Sequence, residues 1–409
     1  MVSPAFPPAA AGEAEHALQI STRLSDRGHS VSVVTNRGAT DALANRFAVH
    51  AFAMGWRWRD LPQLAWQCWR LRPNAVLLVF TAWLYDNHHM ITFFPTVLRW
   101  LCPGTRFVLM VEVDAAPPPS QSKSLRVVRK LFKLLAGAAN VDWDFGTLLH
   151  HASAVVVLGP TMVAPLVLRD PSLLARTVIV PPPPLLAPPA HLSKTSRTHA
   201  RLSAGLDDDE LVLAYFGYVY PGKGVETLLA ALQQLVTSGR RVRLLMVGGG
   251  RGVQTNNVHS TFEASLIALT EDPSLAGRVW WRDGYDNTSG EPSLDLVAAD
   301  IAVLPVDDGA ELRRSSIAVV AAMGLPIVTT RPMQNEPAFV HGENVYLVPP
   351  KEPSALYRAI CQVADDPRLA NELRTGALEM ARCWYSWDSA IDKIESALSG
   401  RPCDAPATK

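Results

Sequence analysis

Short apolar runs alternate with longer amphipathic segments along the whole chain. In the first half the runs are Val31–Thr35, Ala75–Phe80, Arg106–Val113, Ala154–Leu158 and Thr177–Val180. In the second half they are Leu211–Gly217, Arg243–Val247, Val279–Trp281, Ile301–Val306, Pro326–Thr330 and Asn344–Val348. Runs of about four to eight aliphatic and β-branched residues, separated by segments of helical period, predict buried parallel strands joined by crossover helices. The pattern occurs twice, which predicts an α/β chain of two doubly wound, Rossmann-like domains. Between the two sets lies PPPPLLAPPAHLSKTS, Pro181 to Ser196, with six prolines in its first nine residues. Such a stretch continues neither a helix nor a central strand and reads as a semi-rigid linker. The expected division is residues 1–182, residues 183–375, and a helical tail over 376–409 that packs back on the first domain.

The segment from Ala299 to Thr330 carries the strongest chemical signal. It reads as strand, acidic polar loop, helix, Gly-Leu-Pro turn and strand. A charged loop that leaves a buried strand and enters a helix is where an open α/β sheet binds anions. Glu311, Arg313, Arg314, Ser315 and Ser316 cluster there, a set suited to a ligand with both hydroxyls and phosphates.

Composition narrows the classes. With 409 residues, the chain is too long for one ordinary core,. Lys and Arg together number 38 and so do Asp and Glu, so overall electrostatics suggest no nucleic-acid partner,. Cys68, Cys102, Cys361, Cys383 and Cys403 are scattered and lack C-x-x-C spacing, which argues for a reducing compartment and against a zinc site,. Met1 is followed at once by proline-rich sequence, so no secretory leader is expected, and no apolar run is long enough to span a bilayer,. A cytoplasmic location follows as the expectation.

Two surface questions stay open at this level. Six of the eleven tryptophans fall between Trp56 and Trp100. They serve either a core or an aromatic surface that stacks on sugar or meets lipid headgroups. Ser122–Leu135 places Arg126, Arg129, Lys130 and Lys133 on one helical face and Leu125, Val128, Phe132 and Leu135 on another,. That is either a surface helix packed on its own domain or a peripheral contact with an anionic membrane.

The stretch FPPAAAGEAEHALQISTRLSDRGHSVSVVT, then FGYVYPGKGVETLLAALQQL, LLMVGGG, the segment around Glu311 and GENVYLVPP occur in a characteristic order. Together they resemble the retaining GT-B glycosyltransferases of the family 4 type, over nearly the whole chain. The resemblance implies two Rossmann-like domains facing across a cleft, with the acceptor held by the first and a nucleoside-diphosphate sugar by the second. It implies transfer of the sugar to a saccharide or lipid-linked acceptor hydroxyl with retention, as in polysaccharide biosynthesis, and without a metal or other cofactor. Lys223 and Glu311 take the catalytic positions, contacting the diphosphate and the transferred sugar. Gly12, Gly217, Gly248, Tyr285, Arg313, Arg314, Ser315 and Ser316 complete the expected donor site. His16, His88, Glu112 and Asp114 are acceptor-side candidates.

The sequence departs from the family at defined points. Tyr218 stands where a second phosphate-binding cation is expected, and one of Arg313 and Arg314 is the expected substitute. Val319 stands where the family's second glutamate would hold the ribose hydroxyls; a valine accepts no hydrogen bond. Ala11 and Ala14 replace a glycine and a glutamate of the first loop. A competing reading is therefore a GT-B protein that binds a nucleotide sugar or a partner enzyme without turnover, or a GT-B epimerase or hydrolase. Only Met1, Val2 and Ser3 precede Pro4, so either the first central strand is very short or the true start lies upstream, and a chain extended upstream is expected to be more stable.

Overall fold

The computed structural model of the chain describes residues 1–9, 11–39, 46–112, 134, 145–188, 194–248, 257–282 and 291–401. It divides into two compact units, one of Met1–Pro181 with the chain from Asp388 onward, the other of Pro182–Trp387.

The second unit holds a six-stranded parallel sheet. Its strands are β7 (Leu211–Phe216), β8 (Val242–Val247), β9 (Val279–Arg282), β10 (Ile301–Leu304), β11 (Ile327–Thr330) and β12 (Tyr346–Val348), in the order β12-β11-β10-β7-β8-β9. Numbered within the unit this is 3-2-1-4-5-6, the Rossmann order, and the strand order reverses between β7 and β10. Continuous apolar sequence is what such strands need. Val212, Leu213 and Ala214 of β7 are all fully buried, so the sheet is covered on both faces,. Acidic and basic side chains fix the N-terminal edge. The Asp300 carboxylate accepts from the Val212 N–H at 2.8 Å and from Arg201 at 3.2 Å. Glu210 pairs with Arg243 at 3.0 Å. The opposite edge, where β7 and β10 end, is thereby left to loops.

The first unit repeats the plan. β3 (Ala75–Phe80), β4 (Arg106–Val111), β5 (Ala154–Val157) and β6 (Thr177–Ile179) form one parallel run, and β1 (Ser32–Asn36) and β2 (Ala48–Ala53) another. The first residues join them. Val2 bridges both Val34 of β1 and Leu78 of β3, with N–H···O bonds from Val2 to Leu77 and from Val79 to Val2 at 2.8 and 2.9 Å. Three residues thus do the work of the short central strand. The sheet buries side chains on both sides: Val34 lies in one apolar cluster with Leu78 and Leu109, and Val33 in another with Phe6, Ala17 and Phe47.

β2 is a strand that the hydrophobic pattern did not predict. Its sequence, AVHAFA, is poor in β-branched residues, and as an edge strand it is mostly half-buried,. The helix Trp387–Ser399 also serves the first unit. Arg27 pairs with Asp392 and Glu395 at 2.5 and 2.7 Å, and Arg106 Nε donates to the Ala397 carbonyl at 2.7 Å.

Candidate active site

Reversal of strand order between β7 and β10 sends their two following loops apart from each other around a shared crevice. The loop after β7 runs through Gly217, Tyr218, Lys223 and Gly224 into the helix Val225–Thr237. The loop after β10 runs through Asp307, Asp308 and Glu311 into the helix Ser315–Ala322. Backbone contacts lock the two loops together. Asp307 N–H donates to the Gly222 carbonyl at 3.0 Å. Gly224, at φ +70°, lies so near the second loop that a Cβ there would meet the Pro305 oxygen at 1.7 Å. Gly217, at φ +124°, would place a Cβ 3.7 Å from the Ser316 Cβ. The fold therefore brings Gly217, Lys223, Glu311, Arg313, Arg314, Ser315 and Ser316 to one corner. Gly248 closes β8 at the same edge of the sheet.

The charged side chains of this corner are already engaged with one another. Arg313 holds Glu311 Oε2 through Nε and Nη2, both at 2.7 Å. Arg314 pairs with Asp308 and lies 3.6 Å from the same Glu311 oxygen. Lys223 Nζ sits 4.8 Å from the centre of the Tyr220 ring, a cation–π distance,. Asp307 faces Lys351 at 3.7 Å. Arg314 also caps the following helix with its backbone, and no side chain caps it. A helix start open in this way favours an anion. Where a second cation was expected, the Tyr218 carbonyl instead accepts from the Tyr215 hydroxyl at 3.1 Å. Val319 is fully buried in the core of the unit and offers the site no polar group.

A carboxyl that sequence reading passed over lies beneath Glu311. Glu336 is buried, and its Oε1 accepts from the Leu312 N–H at 3.3 Å. Its Oε2 and the nearby buried Tyr385 hydroxyl have no hydrogen-bond partner among the described residues. Burial raises the Glu336 carboxyl to about 7; the Leu312 N–H opposes the rise, Glu311 adds to it, and Arg313 opposes it,. Tyr385 is raised too, first by burial and then by Glu336. The available signal was modest: an acidic residue in the loop after β11, at the same sheet edge as Glu311.

In the first unit the structure joins two of the acceptor-side candidates, 96 residues apart. His16 Nδ1 and Glu112 Oε1 are 2.8 Å apart, and both side chains are buried. His16 comes from the helix Gly12–Asp26 and Glu112 from the end of β4, so the pair lies where the loops after the Val2 segment and β4 converge. A Cβ on Gly12 would meet nothing within 4 Å, which leaves room above the helix start. His88 stands apart from this pair. Its Nδ1 accepts from the Met90 N–H at 3.2 Å, it packs on Trp58, and burial, then Arg57, lowers its pKa. Asp114, Tyr285 and, apart from Leu134, the basic segment Ser122–Leu135 lie outside the described residues. Among the described residues no cluster of three or more His, Cys, Asp or Glu is placed to hold a metal, and no helix is long and apolar enough to cross a membrane. Of the early tryptophans, Trp56 is core and Trp58, Trp66, Trp69, Trp83 and Trp100 are exposed.

Comparison with known proteins agrees with this geometry. Residues 210–366 match the family Glycosyl transferases group 1. The D-inositol 3-phosphate glycosyltransferase of Corynebacterium diphtheriae is 28% identical over 207 residues, 48% of this chain and 44% of that protein. The GDP-mannose-dependent monoacylated alpha-(1-6)-phosphatidylinositol monomannoside mannosyltransferase of Corynebacterium glutamicum is 22% identical over 219 residues, 52% and 53% of the two chains. The chain spans about half the length of the curated relatives it matches. The crystal structure of Anabaena HepE in complex with UDP and glucose superposes with a TM-score of 0.71 at 16% identity, covering 98% of both chains. That likeness extends over both Rossmann-like units and identifies the fold as GT-B. The family match is centred on β7–β12 and their loops, so residues 210–366 resemble the group 1 glycosyltransferases, on a chain whose fold is GT-B throughout.

Proposed function

We propose that this protein transfers a sugar from a nucleoside-diphosphate donor to an acceptor hydroxyl, with retention at the anomeric carbon. One observation carries the reading: the switch point between β7 and β10 assembles Lys223, Glu311, Arg313, Arg314 and an uncapped helix start at a single corner. Departure of a nucleoside diphosphate builds negative charge on its leaving oxygen. Lys223, one arginine and the N–H groups of Ser315 and Ser316 meet that charge, so the proposed step uses no metal ion. Glu311, released from Arg313 as the arginine turns to phosphate, binds the hydroxyls of the transferred sugar. Glycosyltransferase relatives that act on inositol phosphate and on a phosphatidylinositol mannoside support a polyol or lipid-linked acceptor. HepE, bound to UDP and glucose, supports a nucleotide-sugar donor. The acceptor belongs to the first unit, where the buried His16–Glu112 pair marks the converging loops. A lipid-linked acceptor would make the protein peripheral to a membrane, with Ser122–Leu135 as one contact.

A second reading, donor binding without turnover, is favoured by Tyr218 and by the fully buried Val319. A panel of labelled nucleotide sugars with inositol phosphate and polyprenyl or phosphatidylinositol acceptors separates the two. Glycosyl product that falls at least about 100-fold in Glu311→Gln, with nucleoside-diphosphate binding retained, is the expected result. Donor binding with no product, cleavage or epimer from any acceptor would establish the second reading.

A further inference from the structure

Five exposed tryptophans are unusual in one domain, and three of them lie along a single helical stripe. The short 3-10 turn Trp58–Asp60 runs directly into the helix Leu61–Leu71. Trp58, Pro62, Trp66, Trp69 and Arg70 recur at helical spacing on its outer side, while Leu64, Ala65, Gln67 and Cys68 turn inward. The helix Met90–Leu101 packs beside it and carries a parallel stripe of Phe93, Val97, Trp100 and Leu101. The two stripes meet at Trp58 and Phe93, whose ring centres are 5.9 Å apart. Each helix precedes one of the paired parallel strands β3 and β4, so the two run in the same direction and end side by side. The Arg106 N–H bond to Asn74 O, at 2.9 Å, ties those ends together. Among the four stripe tryptophans exposure ranges from 47% for Trp58 to 59% for Trp100, too much for core residues,.

The charge exposed around this face is mainly basic, because Asp60 in the first turn is buried and accepts from the Arg57 N–H at 2.9 Å. Between Leu61 and Val111 the only acidic residue is Asp86, and it pairs with Arg57 at 3.3 Å. Arg59, Arg70, Arg72 and Arg99 are exposed around the stripes, and Arg70 lies over the Trp66 ring at 5.0 Å. In a chain of zero formal net charge this local excess is a property of the face. Tryptophan rings with a polar edge and an apolar body, framed by arginine, suit the headgroup zone of an anionic bilayer.

We propose that the outer face of the helices Leu61–Leu71 and Met90–Leu101 docks on an anionic lipid bilayer, with Trp58, Trp66, Trp69 and Trp100 in the headgroup zone. The proposal deepens the peripheral-membrane reading but uses a different segment from Ser122–Leu135, so the two fail separately. The test uses the full chain and vesicles of phosphatidylglycerol and phosphatidylcholine in equal parts, against phosphatidylcholine alone. Three forms are compared by cosedimentation: the unaltered chain, a Trp66→Ser, Trp69→Ser, Trp100→Ser variant, and a variant with Arg126, Arg129, Lys130 and Lys133 all changed to Ser. The unaltered chain is expected to prefer the anionic vesicles, to lose affinity as salt is raised, and to show tryptophan quenching by brominated lipid. The tryptophan variant is expected to bind at least tenfold more weakly with an unchanged melting temperature. Anionic-vesicle binding that survives in the tryptophan variant, or is lost only in the basic-segment variant, overturns the proposal. So does a chain that ignores vesicles, whether because the same face joins two copies in sedimentation or because it retains a polysaccharide instead.

Discussion

Replacing Glu336 with glutamine isolates the energetic cost of a buried carboxyl under the proposed donor site. Glu336 is almost wholly buried, receives one N–H bond from Leu312 at 3.3 Å, and titrates near 7 where an ordinary glutamate titrates at 4.5. The folded state therefore holds this proton more tightly than the unfolded chain does. Its contribution to stability is complete below about pH 4.5, declines as pH rises, and is lost above about pH 7,. At about 1.4 kcal/mol per pH unit the full span is about 3 kcal/mol, of which about 2–3 kcal/mol falls between pH 5 and 9. Glutamine keeps an oxygen for the Leu312 N–H and cannot ionise. Urea unfolding of Glu336→Gln and the unaltered chain at pH 5 and pH 9 measures the difference directly. The two should be nearly equal at pH 5, and the variant should be the more stable at pH 9 by about 2–3 kcal/mol. A difference that does not change between these pH values would refute the reasoning, because every other titrating group is common to both proteins. The same ionisation should loosen the backbone that carries Glu311, so donor affinity should fall over this pH range in the unaltered chain and not in the variant.

Two other substitutions probe the remaining architecture. Gly224→Ala forces a Cβ into the Pro305 oxygen at φ +70°, so stability should drop by at least ~2 kcal/mol and nucleoside-diphosphate binding should be lost,. Gly222→Ala shares a positive φ of +93° but meets nothing within 4 Å, and thermal unfolding should show a clearly smaller loss. Glu112→Ala removes the partner of the buried His16 imidazole and should cost ~2 kcal/mol in chemical unfolding, while nucleotide titration calorimetry shows donor affinity unchanged,. Equal stability would remove the pair from any account of the first unit.

Much of the second unit was legible in the chain, because buried parallel strands require mostly apolar runs: β7 and β10 are unbroken, and β8 and β11 are interrupted only by Arg243 and by two buried threonines. The edge strand β2 was not legible, since half-buried positions tolerate Ala and His and leave no pattern. Glu311, Arg313 and Arg314 could be singled out from local order alone. That Arg313 clasps Glu311 could not, because neighbours two apart in a loop reveal no direction for their side chains. His16 and Glu112 were each visible as candidates, but their meeting depends on sheet order. Glu336 escaped for the same reason: its unusual proton affinity comes from burial by residues distant in sequence, and composition carries no record of that.

The clasp between Gly224 and Pro305 also governs how this domain can be re-engineered. Gly222 O must meet the Asp307 N–H, and Gly224 must pass the Pro305 oxygen without a side chain. The lengths of the loops after β7 and β10 are thus interdependent. Transplanting either loop alone from a relative would break a backbone contact at its partner, however well the grafted residues matched the new ligand. Ligand preference at this corner, whatever the ligand, would have to be exchanged as a matched pair of loops.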